Sequence, residues 1–280
     1  MLTIRAVPLL AATALALPAL AQDAGDDWDV RRDRDLVAAE AIFDSGLGVG
    51  VRCQDGGLGV IIVGLPPARG AYRTLNISFG EAAPRPMRWI NTGSPTAALA
   101  ELPAPFARAL REGGRMNLVA PDGAGEGRNL RYALDLPPSP AAIEMVMREC
   151  GKPSVDPHDA LLADADGELS AELVWARPPQ PEFPSKAWDN RVGAGLAYVS
   201  CLTTDEGELE ACEVESEHPM GVGFGRAGVR AMRRARVETA DGSQGRVGGR
   251  MIAYSVRFGT FDVPGTGATR LSDQRDRAGH

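Results

Sequence analysis

Hydrophobic and polar positions in the first half of the chain form short alternating runs. Three runs cover residues 48–53, 58–65 and 73–79, each bounded by Gly, Pro or Asn. Two more, at residues 115–120 and 130–136, have the same character and predict a hairpin. Short alternating runs between turn-forming residues are typical of β-strands. The pattern therefore predicts a meander of strands in this half.

Two segments of the same half have helical spacing instead. Residues 104–111 predict a short helix that begins near Pro105. A second helix is expected behind Ser139-Pro140, since Ser suits the N-cap and Pro the first helical position. Its apolar face repeats at spacings of three and four residues and comprises Ile143, Val146, Met147 and Cys150. One face of this helix should therefore be buried and carry Cys150 inward.

The last third of the chain gives the order β-β-α-β. Strand-like runs at residues 196–205 and 208–215 flank Glu206-Gly207, which predicts a tight hairpin turn. A helix is expected around residues 226–236 and a strand at residues 251–258. The fold class is therefore α+β, with a strand-rich N-terminal domain closed by a helix and an antiparallel C-terminal sheet packed on one helix.

The N-terminus has the three-part plan of a secretory signal. Arg5 precedes an apolar run over residues 6–20, and Ala19-Leu20-Ala21 precedes Gln22 as an A-x-A cleavage site. We therefore expect a signal peptide at 1–21 and export of the mature chain, which would begin near Gln22. The alternative is that the segment is retained as a membrane anchor.

Composition shifts divide the remaining chain. We expect an N-terminal domain at 22–152 and a C-terminal domain at 180–262. Between them, 153–179 is rich in Pro, Asp and Ala and predicts a linker with room for a short hairpin or helix. The tail at 263–280 is polar and rich in chain-breaking residues, which predicts disorder.

Charge and composition limit the kinds of partner and ligand that the chain is expected to bind. A net charge of −7 and a pI near 5.1 argue against nucleic acid, which needs a basic surface. The three histidines are scattered and no cysteine pair has C-x-x-C spacing, so no metal site is expected. We expect no cofactor and no nucleotide.

Four cysteines in an exported chain suggest two disulfides, for which three pairings are possible. If Glu206-Gly207 forms the hairpin turn, Cys201 lies opposite Cys212, within disulfide range. That leaves Cys53 at the end of a strand and Cys150 at the end of a helix, which would clamp the N-terminal domain. A register slip of one residue would put Cys201 and Cys212 on opposite faces.

The run GVGFGRAG contains G-x-G-x-x-G between Gly223 and Gly228, the spelling of a dinucleotide-binding loop. Such a loop must follow a buried parallel strand in a βαβ unit. The preceding strand here belongs to an antiparallel hairpin. A dinucleotide-binding loop is therefore not expected here.

The C-terminal third resembles the C-terminal domain of TonB-family energy transducers over about residues 180–261. The resemblance rests on an ordered set of motifs: QPEFPSKA, the Asp-x-Gly turn, Pro219, Phe224, AMRRARVE and a closing strand that ends in Phe258. The resemblance also implies that Gly223 and Gly225 form the entry into the helix, with Phe224 anchoring that entry to the sheet. Two departures are Ala235, where the family usually has Trp, and a helix exit without the usual Pro.

The resemblance implies a peptide-binding function without catalysis. Domains of this family bind the N-terminal box of an outer-membrane receptor by adding it to a sheet edge, where backbone hydrogen bonds supply much of the affinity. The matching residues in this chain are Gln180, Phe183, Pro184, Met251, Ile252, Ala253, Tyr254, Ser255, Val256, Arg257 and Phe258. The resemblance also implies that the exported chain lies in the periplasm of a Gram-negative bacterium. The expected partner is a protein or peptide of the cell envelope, and a homodimer is a further possibility. Membrane association would occur only through partners unless the N-terminal segment is retained.

Two alternatives stay open. An anchored energy transducer would couple the inner-membrane proton motive force to outer-membrane transport, but this chain has a cleavable-looking signal and a folded domain where the long Pro-rich arm would be. An exported hydrolase would need a site assembled by the fold, because Ser45, Ser94 and Ser200 lie in no G-x-S-x-G motif.

Overall fold

Nine strands of the N-terminal half form one antiparallel sheet in this computed structural model, which describes residues 28–162, 168–242 and 247–259. The predicted signal peptide at 1–21 and the tail at 263–280 lie outside those residues. The strands are β1 (Asp29–Asp33), β2 (Leu36–Ile42), β3 (Gly48–Gln54), β4 (Gly57–Val63), β5 (Tyr72–Phe79), β6 (Arg85–Asn91), β7 (Ala98–Ala100), β8 (Gly114–Ala120) and β9 (Leu130–Leu136). Their order is β1-β2-β3-β4-β7-β6-β5-β8-β9. The predicted strands and the hairpin of β8 and β9 are confirmed.

Helices α1 (Pro103–Glu112) and α2 (Ala142–Glu149) pack against this sheet and complete its core. Helix α1 ends at Gly113, whose φ of 70° breaks the helical path. Its Phe106 ring makes edge contacts with Phe79 and Trp89, at centroid distances of 5.3 and 5.2 Å. Burial of large side chains such as these contributes about 1.5–3 kcal/mol each.

Helix α2 has the predicted buried face, and its start differs slightly from the expected one. Ile143, Val146 and Met147 are buried, as predicted. The helix begins at Ala142 instead of Pro140. The N-cap residue is Ala141 and not Ser139 as predicted, although the Ser139 Oγ still accepts the Ile143 N–H at 3.2 Å.

A disulfide joins the end of β3 to the end of α2. Cys53 and Cys150 are bonded, with Cα atoms 5.5 Å apart and a sequence separation of 97. The predicted pairing is confirmed, and it ties the core helix to the sheet it covers.

The C-terminal domain contains a three-stranded antiparallel sheet. Its strands are β11 (Ala194–Thr203), β12 (Leu209–His218) and β14 (Met251–Gly259), with α5 (Phe224–Met232) between the second and third in sequence. Their order in the sheet is β12-β11-β14. Together with the N-terminal sheet and helices, these elements confirm the α+β class.

Two further strands lie outside the predicted order. The segment expected as a linker contains α3 (Asp159–Leu162) and β10 (Leu173–Arg177), and β10 pairs with β13 (Arg236–Thr239). The helix was expected to continue to Arg236 and instead ends at Met232. A short α4 (Ser185–Asp189) follows the QPEFP motif.

The β11–β12 hairpin contains the second disulfide, through a register that shifts. Thr203 faces Leu209, whereas Ser200 faces Glu213. The extra residue is Ala211, which has a positive φ of 47°. Because of this bulge Cys201 meets Cys212, with Cα atoms 4.1 Å apart. The predicted pairing is confirmed, but the predicted register holds only at Val199 and Ser200, because the ladder shifts again between Tyr198 and Val199.

The C-terminal sheet is covered on both faces. Helix α5 packs on one face against Ala197 and Val199. On the other face, Leu196 contacts Ile90 and Leu99 of the N-terminal domain. Across the described ranges no helix is long and apolar enough to span a membrane.

Candidate functional site

The glycine run forms the entry to α5, as predicted. Gly223 is the N-cap with a φ of 95°, and Gly225 lies in the first turn. A carboxylate of the protein itself occupies this helix N-terminus. Glu217 accepts the Gly221 N–H through Oε1 and the Gly225 N–H through Oε2, both at 2.6 Å. Glu217 therefore fills the position at which a helix N-terminus would bind an anion.

Close packing explains two other glycines of this domain. A Cβ atom at Gly195 would lie 2.1 Å from Phe224 Cε2, and one at Gly228 would lie 3.0 Å from Ala197 Cβ. The wholly buried Phe224 lies over Gly195 on β11, so it anchors the helix entry to the sheet as predicted. The glycines of the G-x-G-x-x-G spelling thus serve helix capping and close contact between α5 and the sheet.

An aromatic cluster links the domain-opening motif to the end of β14. Phe183 contacts Phe224 and Trp188 at centroid distances of 5.5 and 4.9 Å, and Phe224 contacts Phe258 at 4.7 Å. Pro184 is buried, Phe183 is half-buried and Trp188 is 57% exposed. The predicted residues Phe183, Pro184 and Phe258 therefore lie together.

Gln180 lies apart from the aromatic cluster. Its side chain is exposed, and its backbone carbonyl accepts a hydrogen bond from Arg234 Nη2 at 3.2 Å. This contact joins the opening motif to the residues just after α5.

Strand β14 is the edge strand of the C-terminal sheet. Nine of its ladder positions pair with β11, from Met251 opposite Leu202 to Gly259 opposite Ala194. No strand within the described residues pairs with its other side. The Thr203 N–H donates to the Arg250 carbonyl at 3.0 Å. Because such bonds alternate along an antiparallel pair, every second residue of β14 directs its backbone groups to the outer edge. These residues are Met251, Ala253, Ser255 and Arg257.

The side chains of the predicted edge residues divide between the two faces of the sheet. Four of them belong to the core beneath α5: Ile252, Tyr254, Val256 and Phe258. Tyr254 also makes an edge contact with Trp175 of β10 at 5.1 Å. On the other face, Met251 and Ala253 pack with Tyr198. Since both faces are covered, the outer edge is the part of β14 left for a strand partner.

A charged aromatic cluster lies where β14 meets the N-terminal domain. The Tyr72 ring lies between Arg88 and Arg257, whose guanidinium carbons are 4.8 and 5.6 Å from its centroid. Arg88 Nε donates to both carboxylate oxygens of Glu101, at 2.9 and 3.0 Å. Burial alone would lower the pKa of Arg88, but Glu101 reverses the effect and raises it. Sequence patterns did not indicate this cluster, because its members come from three strands and the loop before α1.

A cleft of about 110 Å³ lies between the two domains beside α3. In it the Ser200 hydroxyl donates to Oε1 of the buried Glu215. Lys152 Nζ lies 3.0 Å from Glu213 Oε2. Burial raises the pKa of Glu215, and the charge of Lys152 partly opposes that rise.

The opposite wall of the cleft holds a second group of ion pairs. Arg108 contacts Asp159 at 2.5 Å and Asp156 at 3.5 Å. His158 Nδ1 lies 3.0 Å from Asp156 Oδ1, and the His158 backbone N–H lowers the pKa of that carboxyl. These pairs fix α3 to α1 and close one end of the cleft.

The three serines considered for a hydrolase have other partners. Ser45 Oγ accepts the Leu47 N–H, Ser94 Oγ bonds to Thr96 Oγ1, and Ser200 bonds to Glu215. In the part of the chain that the structure describes, none of them contacts a histidine, and no three His, Cys, Asp or Glu side chains are placed to hold a metal ion.

No protein-family model and no curated protein matches this chain. Among solved structures, it is similar to the solution structure of the TonB C-terminal domain from Pseudomonas aeruginosa. That likeness has 22% identity and a TM-score of 0.28, and covers 34% of this chain and 92% of the other. At this score the likeness decides neither fold nor function.

Proposed function

We propose that this chain is an exported envelope protein that binds an extended peptide segment. The segment would add to the outer edge of β14 and extend the sheet β12-β11-β14. The expected partner is the N-terminal box of an outer-membrane receptor or a similar segment of an envelope protein. The proposal assigns binding and no catalysis.

The observation that carries this proposal is the one-sided pairing of β14. It runs for nine residues beside β11, and its outer backbone groups meet no other strand within the described ranges. An edge of this length is a template for a further strand, because each added residue pair contributes main-chain hydrogen bonds. The ordered motifs between Gln180 and Phe258 support the same assignment.

The surroundings of β14 favour binding in a second way. Its Ile252, Ala253, Ser255 and Val256 are buried between α5 and the N-terminal domain, so the strand is held before any partner arrives. A binding surface that is already ordered loses less conformational entropy on association. The N-terminal domain thus acts as a support for the edge.

Export is supported by the two disulfides. Cys53–Cys150 and Cys201–Cys212 account for all four cysteines, and such bonds persist in oxidising compartments. The periplasm is the compartment we propose. The mature N-terminus measured in the periplasmic fraction tests it: Gln22 supports a cleaved signal, whereas an intact Met1 in the membrane fraction supports an anchored energy transducer.

Titration with receptor-box peptides tests the binding proposal. Ser255→Pro removes a backbone N–H from the outer edge, whereas Ser255→Ala retains it. We expect wild type and Ser255→Ala to bind and Ser255→Pro to lose at least about tenfold in affinity, because one main-chain bond is lost and its acceptor stays unpaired. Equal binding by all three would contradict strand addition.

Two chemically modified forms of the peptide give a matched control for this titration. Methylation of alternate peptide nitrogens blocks one edge of the peptide strand, and methylation of the other set blocks the opposite edge. We expect only one of the two methylated peptides to lose binding. Light scattering of the protein alone identifies a second copy of the chain as an alternative occupant.

A further inference from the structure

A short segment of the chain itself runs along the outer edge of β14. It comprises residues 168–172, which we name the strap. At one end, Glu168 Oε1 lies 3.6 Å from Arg257 Nη2, and at the other, Glu172 Oε2 lies 2.6 Å from Arg250 Nη1. Arg250 directly precedes β14 and Arg257 lies near its end, so the strap runs opposite to the strand.

The strap also crosses from one face of the sheet to the other. Glu168 is additionally 3.8 Å from Arg88 of the N-terminal domain, whereas the next residue, Leu169, packs against the core beneath α5. The crossing point is the outer edge of β14, because the sheet ends there. The strap nevertheless forms no ladder with β14 among the described residues.

The side chains of the strap are mostly exposed, and its Glu172 carbonyl accepts the Ala240 N–H at 2.9 Å. Glu168, Ser170, Ala171 and Glu172 are exposed, and Leu169 alone is half-buried. Exposed ion pairs of this kind contribute about 0.2–1 kcal/mol each. A strand with a full set of main-chain bonds could therefore displace the strap from the edge.

We infer that the strap occupies the partner's place beside β14 when no partner is bound, and that the partner segment carries two carboxylates about four residues apart. This inference rests on the proposed function. Arg250 and Arg257 lie at the two ends of the binding edge, and the strap neutralises both. A peptide that displaces it leaves both arginines without these carboxylates unless it supplies its own. The segment Glu-Leu-Ser-Ala-Glu is thus a template for the charge pattern of the partner.

The test compares two peptides on the full mature chain. One is the capped hexapeptide Glu-Leu-Ser-Ala-Glu-Leu, which copies residues 168–173, and the other has Gln in place of both Glu. We expect the acidic peptide to shift the amide resonances of β14 and to bind about 2- to 30-fold more tightly than the Gln peptide, as two exposed ion pairs allow. Added salt should remove most of that preference.

A strap variant tests the competition separately. Glu168→Gln with Glu172→Gln loosens the strap, so we expect faster hydrogen exchange at Ala253 and Ser255 and tighter binding of the acidic peptide. The control is Glu40→Gln with Glu112→Gln, which removes two exposed, ion-paired glutamates of the N-terminal domain. The control should behave like wild type.

The outcomes separate this inference from the proposed function. If receptor-box peptides bind at β14 but the acidic and Gln peptides bind equally, the partner chemistry is overturned and strand addition stands. If the strap variant leaves exchange and affinity unchanged, the strap is no competitor and the inference is overturned. If no peptide of any kind binds, the proposed function is overturned, and the inference with it.

Discussion

Gly195 of β11 leaves the space that the Phe224 ring of α5 occupies. Gly195→Ala would place a methyl group 2.1 Å from Phe224 Cε2. The ring cannot move away freely, because Phe183 and Phe258 contact it on other sides. We expect the free energy of unfolding to fall by about 1–3 kcal/mol, as overpacked cores do. Urea denaturation measures the loss.

Gly93→Ala is the control for this substitution, because no atom lies within 4 Å of the added Cβ. It should change stability by less than about 0.5 kcal/mol. Equal effects of the two variants would mean that Phe224 has room to shift and that Gly195 is not required for packing.

Glu217 stabilises the start of α5 through both of its carboxylate oxygens. Glu217→Gln leaves one acceptor oxygen for two N–H groups, those of Gly221 and Gly225, and removes the negative charge at the helix N-terminus. We expect a loss of about 1–3 kcal/mol in the free energy of unfolding. Denaturation with Glu210→Gln as control checks it, since Glu210 is exposed on the same strand. A loss no larger than that of the control would show that water replaces the carboxylate.

At the scale of elements, the two disulfides should differ in their contribution to stability. Cys53–Cys150 closes a loop with a separation of 97 and Cys201–Cys212 one of 11. The chain-entropy model gives about 4.7 and about 2.8 kcal/mol, because the longer loop restricts the unfolded chain more. Paired Cys→Ala variants measured by denaturant unfolding should follow that order. The reverse order would indicate strain or residual structure in the unfolded chain.

The strands that sequence reasoning found are those whose signals are local. β3, β4, β8 and β9 have alternating residues between turns, and α1 begins and ends at Pro and Gly. β1 was missed because Asp-Val-Arg-Arg-Asp is wholly exposed and has no apolar face. β13 was missed because its partner is β10, some 60 residues earlier in the chain, and neither strand forms without the other.

The residues of the candidate site also divide into those with a local signal in the sequence and those without one. The residues of β14 could be predicted from their own pattern, and the aromatic cluster from the opening motif. The strap could not be predicted, because Glu168 and Glu172 form their ion pairs only after the fold brings Arg257 and Arg250 beside them. The bulge at Ala211 could not be predicted either, since nothing in the residue order indicates its positive φ.

At the scale of the whole molecule, the buried carboxyl group of Glu215 between the two domains makes the free energy of unfolding depend on pH. This buried carboxylate lies in the interdomain cleft with Lys152, Glu213 and Asp156 nearby. Burial raises its pKa above the ordinary value of 4.5, so the folded chain holds the proton more tightly than the unfolded chain does. The contribution of this group to stability is therefore greatest at low pH and declines as the pH rises above about 4.5.

Glu215→Gln removes the buried charge and keeps an oxygen for the Ser200 hydroxyl. We expect the melting temperature of the variant to match wild type near pH 4 and to exceed it by a growing margin toward about pH 7, because only wild type then carries a desolvated carboxylate. Thermal unfolding across that range measures the margin, and Glu210→Gln should show none. A margin that shrinks with rising pH would mean that Lys152 overcomes the cost of burial, in which case the cleft would stabilise the ionised carboxylate and hold the two domains together most firmly at neutral pH.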